Sequence, residues 1–252
     1  MLSHTVAVLS GMFPSGESFF VRSVRDQREH VSDPELREQV NHFVGQESMH
    51  GRLHGQLNSR LEQLGFKVGL VDRVVDIGFN RIGARLLPPK VQLAVTAALE
   101  HYTATLAEVL MSDPQAQGLF DDESVCNLLL WHALEESEHK AVAFDVYRAV
   151  GGSNALRRAT MDVTTLVFLG GLALGSAYSA VSNSSTRDLP SVFAGLVRLP
   201  RCPFLSAGVL RRLRAYNRRD FHPDVFDATE LRERWRQQLF GPNGILADRV
   251  RT

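Results

Sequence analysis

The stretch WHALEESEHKAVAFDVY, Trp131 to Tyr147, constrains this chain more than any other. His132, Glu136 and His139 stand at i, i+4 and i+7, so on a helix their Cβ atoms fall within roughly 60° of one another. Three metal donors on one narrow stripe do not read as a solvated face. An earlier segment, GQESMHGRLH, repeats the core of the spacing as Glu47-x-x-His50. Two Glu-x-x-His helices, with one Glu from each of two further helices, make the two-metal carboxylate site of ferritin-like bundles. Glu17 and Glu100 are the candidates for the lone glutamates. The expectation is an all-α fold: a ferritin-like four-helix bundle over residues 1–152, and a C-terminal helical extension, 153–252, packed on it.

Taken in order, residues 1–13 form an apolar lead-in. Phe13-Pro14-Ser15-Gly16-Glu17 reads as a turn feeding a helix, with Ser15 as N-cap. Glu17 then lies in the first turn, where a carboxylate can also simply complement the helix N-terminus. Asp33-Pro34 is a strong helix start, and that helix runs through Val40, Phe43 and Leu57 to a stop at Gly65. It carries Glu47, His50 and, one turn on, His54. His54 reads as a further ligand, an outer partner holding a carboxylate or a polar core residue; we favour the outer partner, since ligating groups usually need such support.

Residues 66–87 read as a helix interrupted by glycines and punctuated by Pro88-Pro89. The next helix, LAVTAALEHYTATLAEVLM, has Glu100 near its middle. A carboxylate among Ala97, Leu99 and Ala104 is costly to bury without a partner; the alternative is that it faces water beside His101. Glu108 competes with it, but the small residues around Glu100 leave more room for metals. Asp121, Asp122 and Glu123 lead into the central helix, expected to run to Gly151-Gly152. Glu135 and Glu138 fall off the donor stripe and are assigned to its solvated flank.

From Val163 to Val181 the chain is apolar apart from Thr, Ser and Tyr, barely long enough to span a bilayer. A packed helix, an interfacial segment and a true span all fit. A packed helix would roof the metal site, with Asp162 at its polar edge as a second candidate outer partner. Seven arginines between Arg198 and Arg219 would suit an anionic lipid surface. The segment ELRERWRQQLF reads as a docked C-terminal helix.

With 28 basic and 28 acidic residues the formal charge is zero, which implies no attraction to nucleic acid. Two isolated cysteines exclude a disulfide framework and fit a reducing cytoplasm. No signal peptide is read at the N-terminus. A weak membrane-surface contact and a homodimer are both compatible with the sequence.

Four ionised glutamates and three neutral histidines bring a formal charge of about −4, which two divalent cations balance. Mixed N/O donors without thiolate suit Fe or Mn and admit Zn. His-Glu-x-x-His, the zinc-protease signature, is absent.

In FPSGESFFVRSVR, QESMHGRLHGQLN, ALEHYTATLAE and WHALEESEHKAVAFDVY the chain resembles the bacterial predicted metal-dependent hydrolases. Its donor pattern is also similar to that of the p-aminobenzoate N-oxygenase family of di-iron enzymes. Those use a lone Glu, a Glu-x-x-His, another lone Glu and a His-x-x-x-Glu-x-x-His in that order. Glu17, Glu47 with His50, Glu100, and His132 with Glu136 and His139 match them in turn.

That resemblance implies two Fe ions, O2 as co-substrate, a small organic substrate, apolar or an amine, and an external electron donor or reductase. The sequence reading therefore leads with a di-iron oxidase or oxygenase. A metal-dependent hydrolase is the alternative, and a ferritin-like metal-binding protein the third.

Overall fold

The computed structural model describes residues 1–182 and 202–247, and all of their regular elements are helices. Four long stretches form the frame: α1 (Leu2–Arg25), α2 (Pro34–Gln63), α5 (Pro89–Ser112), and α7 (Glu123–His139) continued by α8 (Val142–Ala149). Helix α1 packs along α2, α5 along α7, and the pairs close through α1 with α5 and α2 with α7 and α8. Their apolar faces supply Phe19, Val24, Val40, Phe43, Leu93, Ala98 and Tyr147 to one core. Between α2 and α5 run α3 (Val68–Val75), a π-helical turn (Asp76–Gly83) and α4 (Ala84–Leu86). After α5 comes the short α6 (Pro114–Gln117), and after α8 come α9 (Asn154–Ser182), α10 (Ala207–Ala215) and α11 (Thr229–Phe240).

The caps at Asp33 and Asp122 form as the sequence implies. Asp33 accepts from the Glu35 amide and Asp122 from the Val125 amide. Two boundaries differ from expectation. Helix α1 does not begin at Ser15 but runs straight through Pro14. A proline leaves the carbonyl four residues earlier without its helical donor. Here that carbonyl belongs to Ser10, and Asn58 Nδ2 occupies it at 3.1 Å. The next amide, Ser15, donates to Asp72 Oδ1 at 3.0 Å. Side chains from α2 and α3 thus replace what the proline disrupts.

The central helix, in turn, breaks at Lys140–Ala141, directly after the last candidate ligand. There the Ser137 carbonyl accepts from Arg232 Nη1 at 3.0 Å. Lys140 turns aside, 3.0 Å from Glu108 Oε1 and 2.5 Å from the Phe226 carbonyl.

The C-terminal helices dock as separate struts. Helix α9 lies on α1 and α5, α10 on α5, and α11 on α5 and α7. Trp235 of α11 donates to the Met111 carbonyl at 2.7 Å beside the buried Leu239. Arg198 and Arg201 lie outside the described residues. Of the other arginines in that run, Arg212 turns inward to Glu108, while Arg211, Arg214, Arg218 and Arg219 are exposed.

Candidate metal centre

Four helices bring all seven sequence-predicted donors into one buried cluster. Glu17 comes from α1, Glu47 and His50 from α2, Glu100 from α5, and His132, Glu136 and His139 from α7. Each is at most 4% exposed. They form two groups: Glu17 with His50 and His132, and Glu47 with Glu100, Glu136 and His139. Within each group the donor atoms lie within 4.8 Å of one another. Glu136 faces both groups. Its Oε1 is 2.7 Å from His132 Nε2 and 3.9 Å from His50 Nδ1, while its Oε2 is 3.7 Å from His139 Nε2.

Each imidazole has one nitrogen fixed outward and the other aimed at the carboxylates. His50 Nε2 is 2.9 Å from Glu135 Oε2, His139 Nδ1 is 3.1 Å from Gln46 Oε1, and His132 Nδ1 is 2.8 Å from His54 Nε2. Outer partners of this kind set the tautomer and orientation of ligating histidines. Glu135 therefore does not belong to the solvated flank. It lies one residue before the stripe, about 100° around the helix, where it meets α2. Glu138 does take the flank, paired with Arg236 at 2.7 Å. Neither Gln46 nor Glu135 has a spacing that the sequence could have marked. Phe13 stacks on His54, Phe43 packs on His139 and Trp131 on His50, forming an aromatic shell around the rings.

The chain of bonds behind His132 indicates what fills the space in front of it. Asn58 donates to the Ser10 carbonyl, which turns its Oδ1 toward Ser10 Oγ at 2.7 Å. The Ser10 hydroxyl proton is committed there, so at the 2.9 Å contact with Ser10 Oγ it is His54 Nδ1 that must donate. Neutral His54 then accepts at Nε2 from His132 Nδ1–H. Such assignments follow from network consistency, which is how tautomers are inferred. His132, whose pKa is lowered by burial and by His50, is left with a bare Nε2 facing a carboxylate oxygen 2.7 Å away. Two acceptors at that distance need a cation between them.

Other orphaned atoms agree. Both oxygens of Glu17, Glu47 and Glu100, with His50 Nδ1 and His139 Nε2, are buried and lack a hydrogen bond. A buried polar atom without a partner costs roughly 1–3 kcal/mol, and more if charged. Eight such atoms converging on one site fit a set of metal ligands. All are nitrogen or carboxylate oxygen, a donor set suited to Fe or Mn and open to Zn.

Burial and the neighbouring carboxylates push Glu17 and Glu100 well up. Burial acts the same way on Glu136 and Glu47, but the histidines beside them outweigh it and lower both. Burial alone would lower His50 and His139. Glu135 and Glu47 instead raise His50 to about 9, and Glu136 and Glu47 raise His139 well above its usual value.

Of the remaining sequence candidates, His54 lies directly behind His132, in contact with its ring and not with a carboxylate. Asp162 does not reach the cluster; it is exposed on α9 and accepts from Asn217 at 2.7 Å. Helix α9 presents its Thr160–Thr164 side inward, which turns Asp162 away. Glu108 is also buried but is bound by Lys140, Ser137 and Arg212, which leaves Glu100 as the cluster's carboxylate on α5.

Glu135→Ala is expected to weaken metal affinity by about 10–100-fold with the helical content unchanged, the usual cost of losing such a partner. Competition with a chromophoric chelator measures it. Affinity equal to wild type would show that Glu135 does not position His50.

A profile of the family described as predicted metal-dependent hydrolase matches residues 1–227. No curated protein and no solved structure matches the chain.

Proposed function

The chain belongs to the predicted metal-dependent hydrolase family, and from that premise we propose that it is an enzyme built around two divalent cations. One would be held by Glu17, His50 and His132, the other by Glu47, Glu100 and His139, with Glu136 shared between them. The observation that carries this reading is the convergence of eight orphaned buried donor atoms on one site, with Glu136 set between their two groups.

Bound there, two cations would supply Lewis acidity toward a water and a substrate oxygen, and iron would add redox chemistry toward O2. The chain's own residues have narrower tasks. Glu135, Gln46 and His54 hold the three rings with one lone pair inward. Thr103 donates to Glu136 Oε2 at 2.6 Å and fixes that carboxylate between the two groups. Phe13, Phe43 and Trp131 keep bulk water from the rings.

Family membership supports hydrolysis of an ester, amide or phosphoryl bond as the reaction, ahead of oxidation. A second reading, a di-iron oxidase or oxygenase with an external electron donor, is supported by the donor arrangement. A Glu-x-x-His on each of two helices and a lone Glu on each of two others is the di-iron and di-manganese pattern of ferritin-like bundles. The two separate cleanly. Protein loaded in turn with Zn, Mn and Fe(II) is assayed against a panel of activated esters and phosphoesters, and for O2 uptake after reduction. Ester or phosphoester turnover with Zn or Mn supports hydrolysis. O2 uptake confined to the iron form, without hydrolysis, transfers the assignment to the second reading.

Either reading predicts that metal loading depends on pH. Coordination needs ionised carboxylates and bare nitrogens. The pKa values of Glu17, Glu100, His50 and His139 are all raised, which favours the protonated forms that compete with a metal. Binding should therefore tighten as pH rises and release protons. Calorimetry of metal binding in two buffers of different ionisation enthalpy counts them. Binding without net proton release would contradict this protonation pattern.

A further inference from the structure

Helix α9 is built inside out for a soluble protein. An amphipathic helix normally turns its apolar stripe to the core. Here Thr160, Thr164, Ser176 and Ser179 are buried, with Ser179 bonded to His4 and the half-buried Thr165 to Tyr102. Val163, Leu166, Val167, Leu174 and Tyr178 repeat at helical spacing along the outer face. Leu166 and Leu174 are 74% and 76% exposed. From Val163 to Ser182 there is no charged residue. The helix is long and apolar enough to cross a membrane, and only 22% of its most apolar window is buried.

A second apolar stripe lies beside it. Leu70, Val74, Ile77, Ile82 and Leu86, on α3, the π turn and α4, are all exposed. Lys67, Arg73, Arg81 and Arg85 stand exposed among them, and the only acidic side chains within 67–86 are Asp72 and Asp76. Asp72 is taken by the Ser15 amide and Asp76 by Arg81. Apolar residues flanked by arginine mark a helix that lies in a membrane interface.

Both stripes cover the same side of α1. A Cβ at Gly11 would come within 3.0 Å of the Val68 carbonyl of α3. On α9, one at Gly175 would meet Val8 at 2.8 Å and one at Gly171 would meet Met12 at 3.7 Å. Positions 8, 11 and 12 lie within roughly 100° on α1, and Glu17 lies about 180° from Val8. Helices α3 and α9 therefore form an outer layer on the side of α1 away from the metal cluster.

We propose that this layer docks on an anionic phospholipid surface, with the outer face of α9 in the acyl boundary and Arg73 and Arg85 among the headgroups. The charge of the second stripe selects this occupant. A purely apolar face would equally suit a second copy of the chain, but an apolar face edged by Arg73 and Arg85, which make no ion pair among the described residues, suits acidic headgroups. The arginines that meet the lipid are Arg73 and Arg85, whereas Arg81 is paired with Asp76 and Arg212 is committed to Glu108 inside the protein. Docked this way, the cluster lies about one helix diameter, roughly 10 Å, beneath the membrane contact.

The test is co-sedimentation of the full chain with phosphatidylcholine vesicles, with and without roughly a third phosphatidylglycerol. Binding is expected to the anionic vesicles and to fall with salt. It should drop about tenfold or more in Arg73→Glu/Arg85→Glu and in Leu166→Glu/Leu174→Glu. All four side chains are exposed, and circular dichroism with metal content shows whether each variant is folded. Absence of binding to either vesicle overturns the proposal, as does binding that neither variant changes. A dimer that Leu166→Glu/Leu174→Glu abolishes, without vesicle binding, gives the face to a second copy. Attachment that survives high salt and alkaline carbonate makes α9 a span instead. None of these outcomes depends on the reaction at the metal centre.

Discussion

Glu136→Ala is expected to strip most of the bound metal from the protein. Glu136 is the one carboxylate whose two oxygens face the two donor groups separately, and it contacts all three histidines within 4 Å. Its loss removes a donor from both cations at once and leaves His132 Nε2 and His139 Nε2 without their shared carboxylate. The fall in affinity should exceed about a hundredfold, beyond what losing an outer partner costs. His139→Ala should behave in the same direction. Glu138→Ala, two residues on, removes only a surface pair with Arg236 and should keep its metal. Elemental analysis after desalting reads all three. If Glu136→Ala kept its metal while Glu138→Ala lost it, the helical register of the centre would be wrong.

The largest stability effect is expected away from the metals. Glu108 is buried between Lys140, 3.0 Å away, and Arg212, and also accepts from Ser137 at 3.2 Å. Lys140 is itself buried; burial, with Arg232 nearby, lowers its pKa to about 8. Removing one partner from a buried charge network costs about 3–5 kcal/mol, because the remaining charges lose their compensation. In a chain of this size that corresponds to a fall in Tm of roughly 10 °C. Glu108→Ala should show it in thermal unfolding followed by circular dichroism, with the metal-to-chain ratio of the folded protein unchanged. A shift below about 1 °C would mean that Lys140 and Arg212 find water once Glu108 is gone. The network also joins α5, the break after α7 and α10, so it secures the end of the helix that carries the last candidate ligand.

The donor stripe was legible because ligands on a helix must share a face, and a face has a period. His132, Glu136 and His139 declare themselves by spacing alone, and Glu47 with His50 by the same rule. Glu17 and Glu100 have no internal period. They were found only because a two-metal bundle requires one carboxylate from each remaining helix. Glu135, Gln46, Ser10 and Asn58 were not found, because each reaches the site across a helix interface whose register the sequence does not display. The uninterrupted α1 escaped for the same reason, since Pro14 is tolerated only where Asn58 and Asp72 arrive from other helices. For Val163–Val181 composition marked the helix, yet the apolar residues that would usually define its buried side point outward.

The central claim is that one chain holds two cations with these seven side chains. Elemental analysis of the purified protein, per folded chain and after removal of loosely bound ions, tests it most directly. The account predicts about two divalent cations per wild-type chain, the complement of a carboxylate-bridged pair, and their joint loss in Glu136→Ala. A wild-type chain that holds no metal, or binds a single cation that Glu136→Ala retains, would contradict it.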